Sequence, residues 1–159
     1  MVRYIRITDM KGQIDALRAS ASLPYFTRIV KIGGHPYLDG GATDSIPVQA
    51  FINMGYERNV VILTQPASYR KSPELRILPS LVYRKYPAFA KALKERHLRY
   101  NQTLERILQL EKEGKVFVIR PKAPLAIGRM EKDPKKVQHA YNLGVQDTLD
   151  LKEQLLNWL

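Results

Sequence analysis

Two short apolar runs constrain the architecture of this chain more than anything else in it. Asn59-Val60-Val61-Ile62-Leu63-Thr64 and Val116-Phe117-Val118-Ile119 are of strand length and lack the polar alternation of a half-solvated strand. Runs of that kind belong to strands covered on both faces, as in a parallel sheet. The roughly fifty residues between them are too many for a bare loop. They carry helical periodicity through Leu104, Ile107, Leu108 and Glu111 up to Gly114. Parallel strands joined through helices define an α/β protein, and that is the expected fold class.

Local punctuation fills in the rest. Residues 1–8 alternate loosely and read as a short strand. Lys11 to Ser20 reads as a helix with Ile14 and Leu17 on its buried face. It ends in the small residues Ala19-Ser20-Ala21-Ser22 and stops where Leu23 precedes Pro24, because a residue before proline is pushed out of the helical region. Thr27 to Ile32 and Tyr37-Leu38-Asp39, joined by Gly33-Gly34-His35-Pro36, give a hairpin signature. A short helix follows, with Ser45 as cap, Pro47 in the first turn, Val48, Phe51 and Ile52 as its apolar stripe, and Gly55 at the position after its end. Near the C-terminus, Asp133-Pro134 is a cap with a first-turn proline. Val137, Tyr141, Val145 and Leu149 then recur every four residues before Leu151, Leu155 and Leu159, predicting one helix or two broken near Gly144, with Trp158 docking it. No internal repeat and no Gly/Ser linker divides the chain.

Composition removes whole classes of chemistry. With no cysteine among 159 residues, disulfides, thiolate metal sites, iron–sulfur clusters and a cysteine nucleophile are all excluded. A reducing cytoplasm suits such a chain. No stretch approaches the ~20 apolar residues of a membrane span, so the expectation is a cytoplasmic protein, with peripheral contact at a membrane left open. The charge balance is 26 Lys and Arg against 15 Asp and Glu, a net +11. Nine of the basic residues and only two acidic ones lie between Pro66 and Tyr100. Such a segment makes an electropositive surface, which can be a solvated face or can attract polyanions.

Motif by motif, little catalytic machinery is present. There is neither a phosphate-binding loop nor a dinucleotide-binding glycine pattern. His35, His97 and His139 are far apart in sequence, and each reads as a surface or internally satisfied histidine; no metal site and no cofactor are expected. A nucleophilic serine on a tight strand-to-helix turn needs glycine two residues to either side. Ser20, Ser22, Ser45, Ser68, Ser72 and Ser80 all lack that flanking. Asp39-Gly40-Gly41 remains. A carboxylate at a strand end, followed by glycines free to adopt positive φ and to admit a neighbour closely, suits a general base in a cleft. The same tripeptide is equally a turn, since Asp and Gly dominate turns for conformational reasons alone.

Taken together, several blocks carry a more specific signal. Ala16 to Pro24, Tyr37-Leu38-Asp39-Gly40-Gly41 with Asp44-Ser45-Ile46-Pro47-Val48, then Gly55 and Val60-Val61-Ile62-Leu63-Thr64, resemble the second half of a patatin-like phospholipase. Tyr69-Arg70-Lys71, Tyr100-Asn101, Phe117-Val118-Ile119, the segment from Gly128 to Asp133 and Tyr141-Asn142-Leu143-Gly144 resemble the C-terminal extension of a bacterial branch of that family. The resemblance implies a partial three-layer α/β/α sandwich with a helical C-terminal extension. Residues 1–66 would form the C-terminal part of the catalytic domain and 67–159 a mostly helical extension with one strand at 116–120. It also implies a Ser–Asp dyad without histidine, with Asp39 as the dyad aspartate and Gly40 and Gly41 shaping its turn. The family's serine elbow and glycine-rich oxyanion loop have no counterpart in these 159 residues, so the chain alone is expected to be catalytically silent, as a truncated product, an excised piece or one part of a split protein. Lipid esters are the implied substrate and the missing N-terminal half, in cis or in trans, the implied partner. Self-association through an exposed sheet edge would be the alternative way to cover unpaired strands.

A second reading makes the chain a non-catalytic basic module. Arg70 to Arg99, interleaved with Tyr69, Tyr83, Tyr86, Phe89 and Tyr100, would contact an anionic membrane or, less naturally, nucleic acid. Arg70, Lys71 and Arg129 are the anion-binding candidates. Against that, aromatics at helical spacing are ordinary core residues of amphipathic helices.

Overall fold

The computed structural model describes residues 2–73, 77–128 and 131–159. In chain order the elements are α1 (Ile14–Ser20), β1 (Val30–Ile32), β2 (His35–Tyr37), a 3-10 turn (Gly40–Ala42), α2 (Val48–Asn53), β3 (Asn59–Ile62), α3 (Leu78–Val82), α4 (Pro87–Lys94), α5 (Arg96–Lys112), β4 (Val116–Ile119), α6 (Pro134–Asp150) and α7 (Lys152–Trp158). The chain divides into two compact units. The first takes the residues up to Pro47 together with Lys71–Thr103, and the second takes Val48–Arg70 with Leu104–Leu159. Helices with one antiparallel and one parallel two-stranded sheet make this a mixed α/β chain.

In the first unit the hairpin is tighter than the sequence predicts. Only Gly33 and Gly34 form its turn, with φ of +55° and +77°, and β2 starts at once at His35. Positive φ at both central residues matches the right-handed twist of the flanking strands. Among the described residues the short strand expected over residues 1–8 does not form: residues 2–7 are irregular, and Arg3 to Arg6 are exposed. The first helix begins at Ile14 rather than Lys11, because Asp9 accepts the backbone N–H groups of Lys11 and Gly12 at 3.1 and 3.0 Å and holds that stretch as a turn. Ile14 and Leu17 are 54% and 40% exposed; the buried position is Ala19, so the packing face of α1 consists of small residues.

The core of this unit is Ala42, Tyr83, Ala90 and Leu93, with Tyr25, Leu38, Tyr86 and Phe89 against it. Pro87 starts α4 in the first turn, where its missing N–H is not needed, and Ala90 and Leu93 fall three residues apart on the inner side. Tyr25 has φ +71°, a conformation unusual for a bulky residue; its N–H donates to the buried Tyr83 hydroxyl at 2.8 Å and the two rings lie 5.6 Å apart. Of the aromatics of the basic segment, Tyr83 is therefore a core residue, and Tyr86 and Phe89 pack against that core.

In the second unit β3 and β4 pair in parallel, from Asn59 opposite Val116 to Ile62 opposite Ile119, and Leu63 N–H extends the ladder to the Ile119 carbonyl at 2.9 Å. β3 is covered on one face only: Val61 and Leu63 are buried, whereas Ile62 is 73% exposed. Leu104, Ile107 and Leu110 point inward from α5, each contributing about 1.5–3 kcal/mol of apolar burial. Asp133 caps α6, accepting the Lys135 N–H at 2.9 Å, with Pro134 as the first helical residue. α6 runs unbroken through Gly144; the break comes at Leu151, with φ −102° and ψ 0°. Trp158 docks α7 by donating its indole N–H to the Gly114 carbonyl at 3.0 Å, with its ring 5.9 Å from that of Phe117.

Candidate active site

Asp39 lies two residues beyond β2. Its N–H donates to the Ser22 carbonyl at 3.0 Å, tying the hairpin's exit to the small-residue end of α1. Ser22 is buried and donates its own hydroxyl to the Arg18 carbonyl at 2.7 Å. The side chain of Asp39 caps the 3-10 turn: the Gly41 N–H donates to Oδ1 at 2.8 Å. Within the turn, Ala42 N–H donates to the Asp39 carbonyl at 3.1 Å, and Thr43 and Asp44 N–H to the Gly40 carbonyl at 3.0 and 2.9 Å. The half-buried carboxylate is thus anchored by one oxygen, while among the described residues Oδ2 has no hydrogen-bond partner. An anchored carboxylate with a second oxygen to offer is geometrically able to accept a proton.

The glycines work differently from what the sequence suggests. Positive φ is found at Gly33, Gly34, Gly55 and Gly114, not at Gly40 or Gly41. What Gly41 supplies is space: a Cβ there would lie 3.1 Å from Asp39 Oδ1 and 3.7 Å from Arg96 Nη2. Two donors converge on its carbonyl, Arg96 Nε at 2.8 Å and Ser45 Oγ at 2.6 Å. Ser45, expected to cap α2, is spent on this turn instead.

Next to the turn, Thr43, Ser45, Arg96, Arg99, Tyr100 and Thr103 help to enclose a polar notch of about 20 Å³, room for a single water. The Tyr4 hydroxyl donates to Asp44 Oδ2 on the loop after the turn. Burial of that phenol end, followed by the hydrogen bond and charge of Asp44, pushes the Tyr4 pKa up to about 12.

Ser22 and Ser45, the serines bonded into this neighbourhood, both donate to backbone carbonyls. Arg70 belongs to the second unit, where it donates to the Ala67 and Tyr69 carbonyls at 2.9 and 2.7 Å and pairs with Glu105. Lys71 belongs to the first: Asn101 accepts its N–H at 2.8 Å and donates to its carbonyl at 3.1 Å, and its ammonium lies 5.3 Å from the Tyr100 ring centre. Arg129 lies outside the described residues. Among the described residues no cluster of three or more His, Asp or Glu is placed to hold a metal ion, and no helix is long and apolar enough to cross a membrane. His97 departs from the reading of satisfied histidines, since its Nδ1 is buried with no hydrogen-bond partner among the described residues.

Arg96 is the participant that sequence reading missed. It was one basic residue among nine in its segment, and 55 positions separate it from the carbonyl it reaches.

Comparison with known proteins finds matches to two separate stretches of the chain. Residues 7–52 match the patatin-like phospholipase family, which supports membership in it, and residues 86–159 match a domain of unknown function, DUF6363. Over 62 residues the chain is 40% identical to the uncharacterized protein YjjU of Escherichia coli (strain K12). That stretch covers 38% of this chain and 17% of the relative's length, so the chain corresponds to only a small part of that protein.

Proposed function

We propose that this chain contributes the acid–base half of a patatin-like acyl-ester hydrolase, with Asp39 as the general base. The observation that carries the reading is the carboxylate itself: it lies inside the segment matching the patatin-like phospholipases and is held by Oδ1 on the Gly41 N–H, with Oδ2 available to a proton. In this reading Oδ2 takes the proton of a serine hydroxyl as that oxygen attacks the ester carbonyl, and returns it to the departing alcohol. The nucleophile and the donors for the oxyanion come from sequence other than these 159 residues, which contain no serine with the flanking glycines such an elbow needs. The substrate class is lipid esters.

The test is to combine this chain, in cis or in trans, with a patatin-like segment carrying a G-x-S-x-G elbow and to follow release from a short acyl ester. Hydrolysis should appear only in the combination, and Asp39→Asn should lower it by about 10²–10⁴-fold, the usual worth of a positioned base. Hydrolysis by this chain alone at the same rate, or activity indifferent to Asp39→Asn, would overturn the assignment.

A further inference from the structure

We infer that Arg96 is a positioning residue for the Asp39 turn, and that bracing this turn is a task of the segment matching DUF6363. The inference deepens the hydrolase reading above and rests on it for its catalytic meaning. Glycine has no side chain to narrow its φ and ψ, so Gly40 and Gly41 keep their angles only as far as hydrogen bonds fix them. Yet the Gly41 N–H is what holds Asp39 Oδ1, so any freedom at Gly41 passes directly to the carboxylate. Backbone bonds within the turn fix the Asp39 and Gly40 carbonyls, whereas the Gly41 carbonyl is held by side chains. Arg96, inside the segment 86–159, and Ser45 place donors 2.8 and 2.6 Å from the Gly41 carbonyl. With its N–H fixed on Asp39 and its carbonyl fixed by Arg96 and Ser45, Gly41 is held from both sides.

Arginine suits this work for two reasons. The planar guanidinium loses less freedom per hydrogen bond than a flexible ammonium would. Its Nη2 also lies 3.7 Å from where a Cβ of residue 41 would stand, an ordinary contact distance, so the guanidinium packs directly against the glycine. Arg96 itself opens α5 directly after Glu95, the residue closing α4, whose inner side carries Ala90 and Leu93 into the core. The donor is therefore mounted on a packed helical corner rather than on a loop.

Amide hydrogen exchange of this 159-residue chain tests the brace without any need for activity. In Arg96→Ala the Gly41 amide should exchange about tenfold faster, with the core amides of α4 within twofold of wild type. Millimolar ethylguanidinium should restore the protection, and Arg96→Lys should restore part of it. Ser45→Ala, the milder variant, should give a smaller change in the same direction. In the combined hydrolase Arg96→Ala should lower kcat about tenfold with KM within twofold, the pattern of a mispositioned base rather than of lost binding. Unchanged Gly41 protection in Arg96→Ala, or equal loosening throughout α4 and the turn, would overturn the inference. If the combination shows no Asp39-dependent hydrolysis, the hydrolase reading fails, and Gly41 exchange still decides whether Arg96 braces the turn.

Discussion

Two glycine pairs, seven residues apart, solve opposite problems. Gly33-Gly34 turn the hairpin with positive φ at both residues, and nothing lies within 4 Å of where their side chains would be. Gly40-Gly41 have no positive φ, and at Gly41 it is the space for a side chain that is missing. The first pair is glycine because of its backbone angles, and in the second it is Gly41 that is crowded by a neighbour. One is a matter of folding, while the other sets the place of a carboxylate.

This contrast can be attacked directly. The largest expected effect is at Gly41. Gly41→Ala brings a Cβ to 3.1 Å from Asp39 Oδ1 and forces the carboxylate to shift. Hydrolysis in the combined enzyme should fall about 10–100-fold, with thermal stability little changed because the backbone there suits alanine. Gly34→Ala should do the reverse. With φ +77° it should lose about 1–2 kcal/mol in denaturant unfolding while turnover per folded molecule stays at the wild-type value. Gly34→Asn should lose less, since asparagine tolerates that region. A loss of turnover in Gly34→Ala would erase the distinction between the pairs.

The smallest effect concerns the loop that follows the second pair. Tyr4 is 47% exposed, but its hydroxyl end lies against Asp44, and its pKa is raised to about 12 from 10.0. Since the protonated phenol is favoured in the folded state, its contribution is complete below pH 10 and is lost as pH rises through about 12. Unfolding of wild type and Tyr4→Phe, compared over that window, should show wild type losing stability faster. Parallel curves would mean that the Tyr4–Asp44 contact does not hold the loop in solution.

Much of this was legible wherever the determinant is local. The parallel pairing of β3 with β4 follows from two apolar runs and the helical length between them, and the start of α6 from Asp133-Pro134. The turn at Gly33-Gly34 was visible too, although its width was not, because His35 and Pro36 read as turn residues until they are seen pairing with Ile32 and Lys31. Burial was harder. Ile14, Leu17 and Ile62 are apolar and exposed, and periodicity assigns an inward face without saying whether anything covers it. The helix break at Leu151 rather than Gly144 has the same lesson, since a glycine with open space around it need not interrupt a helix. Least legible was the brace on Asp39. A hydrogen bond spanning 55 residues leaves no periodic trace, and Arg96 looked like any other charge in a basic run.

The docking of Trp158 has a practical consequence. It is the chain's single tryptophan, and its contacts with Gly114, Phe117 and Arg58 all lie in the second unit. Intrinsic emission excited at the red edge will therefore report the melting of that unit alone. Loss of the Asp39 neighbourhood would pass unseen by such a fluorimeter trace, and a probe of its own on the first unit is needed before any optical transition is taken to describe the whole polypeptide.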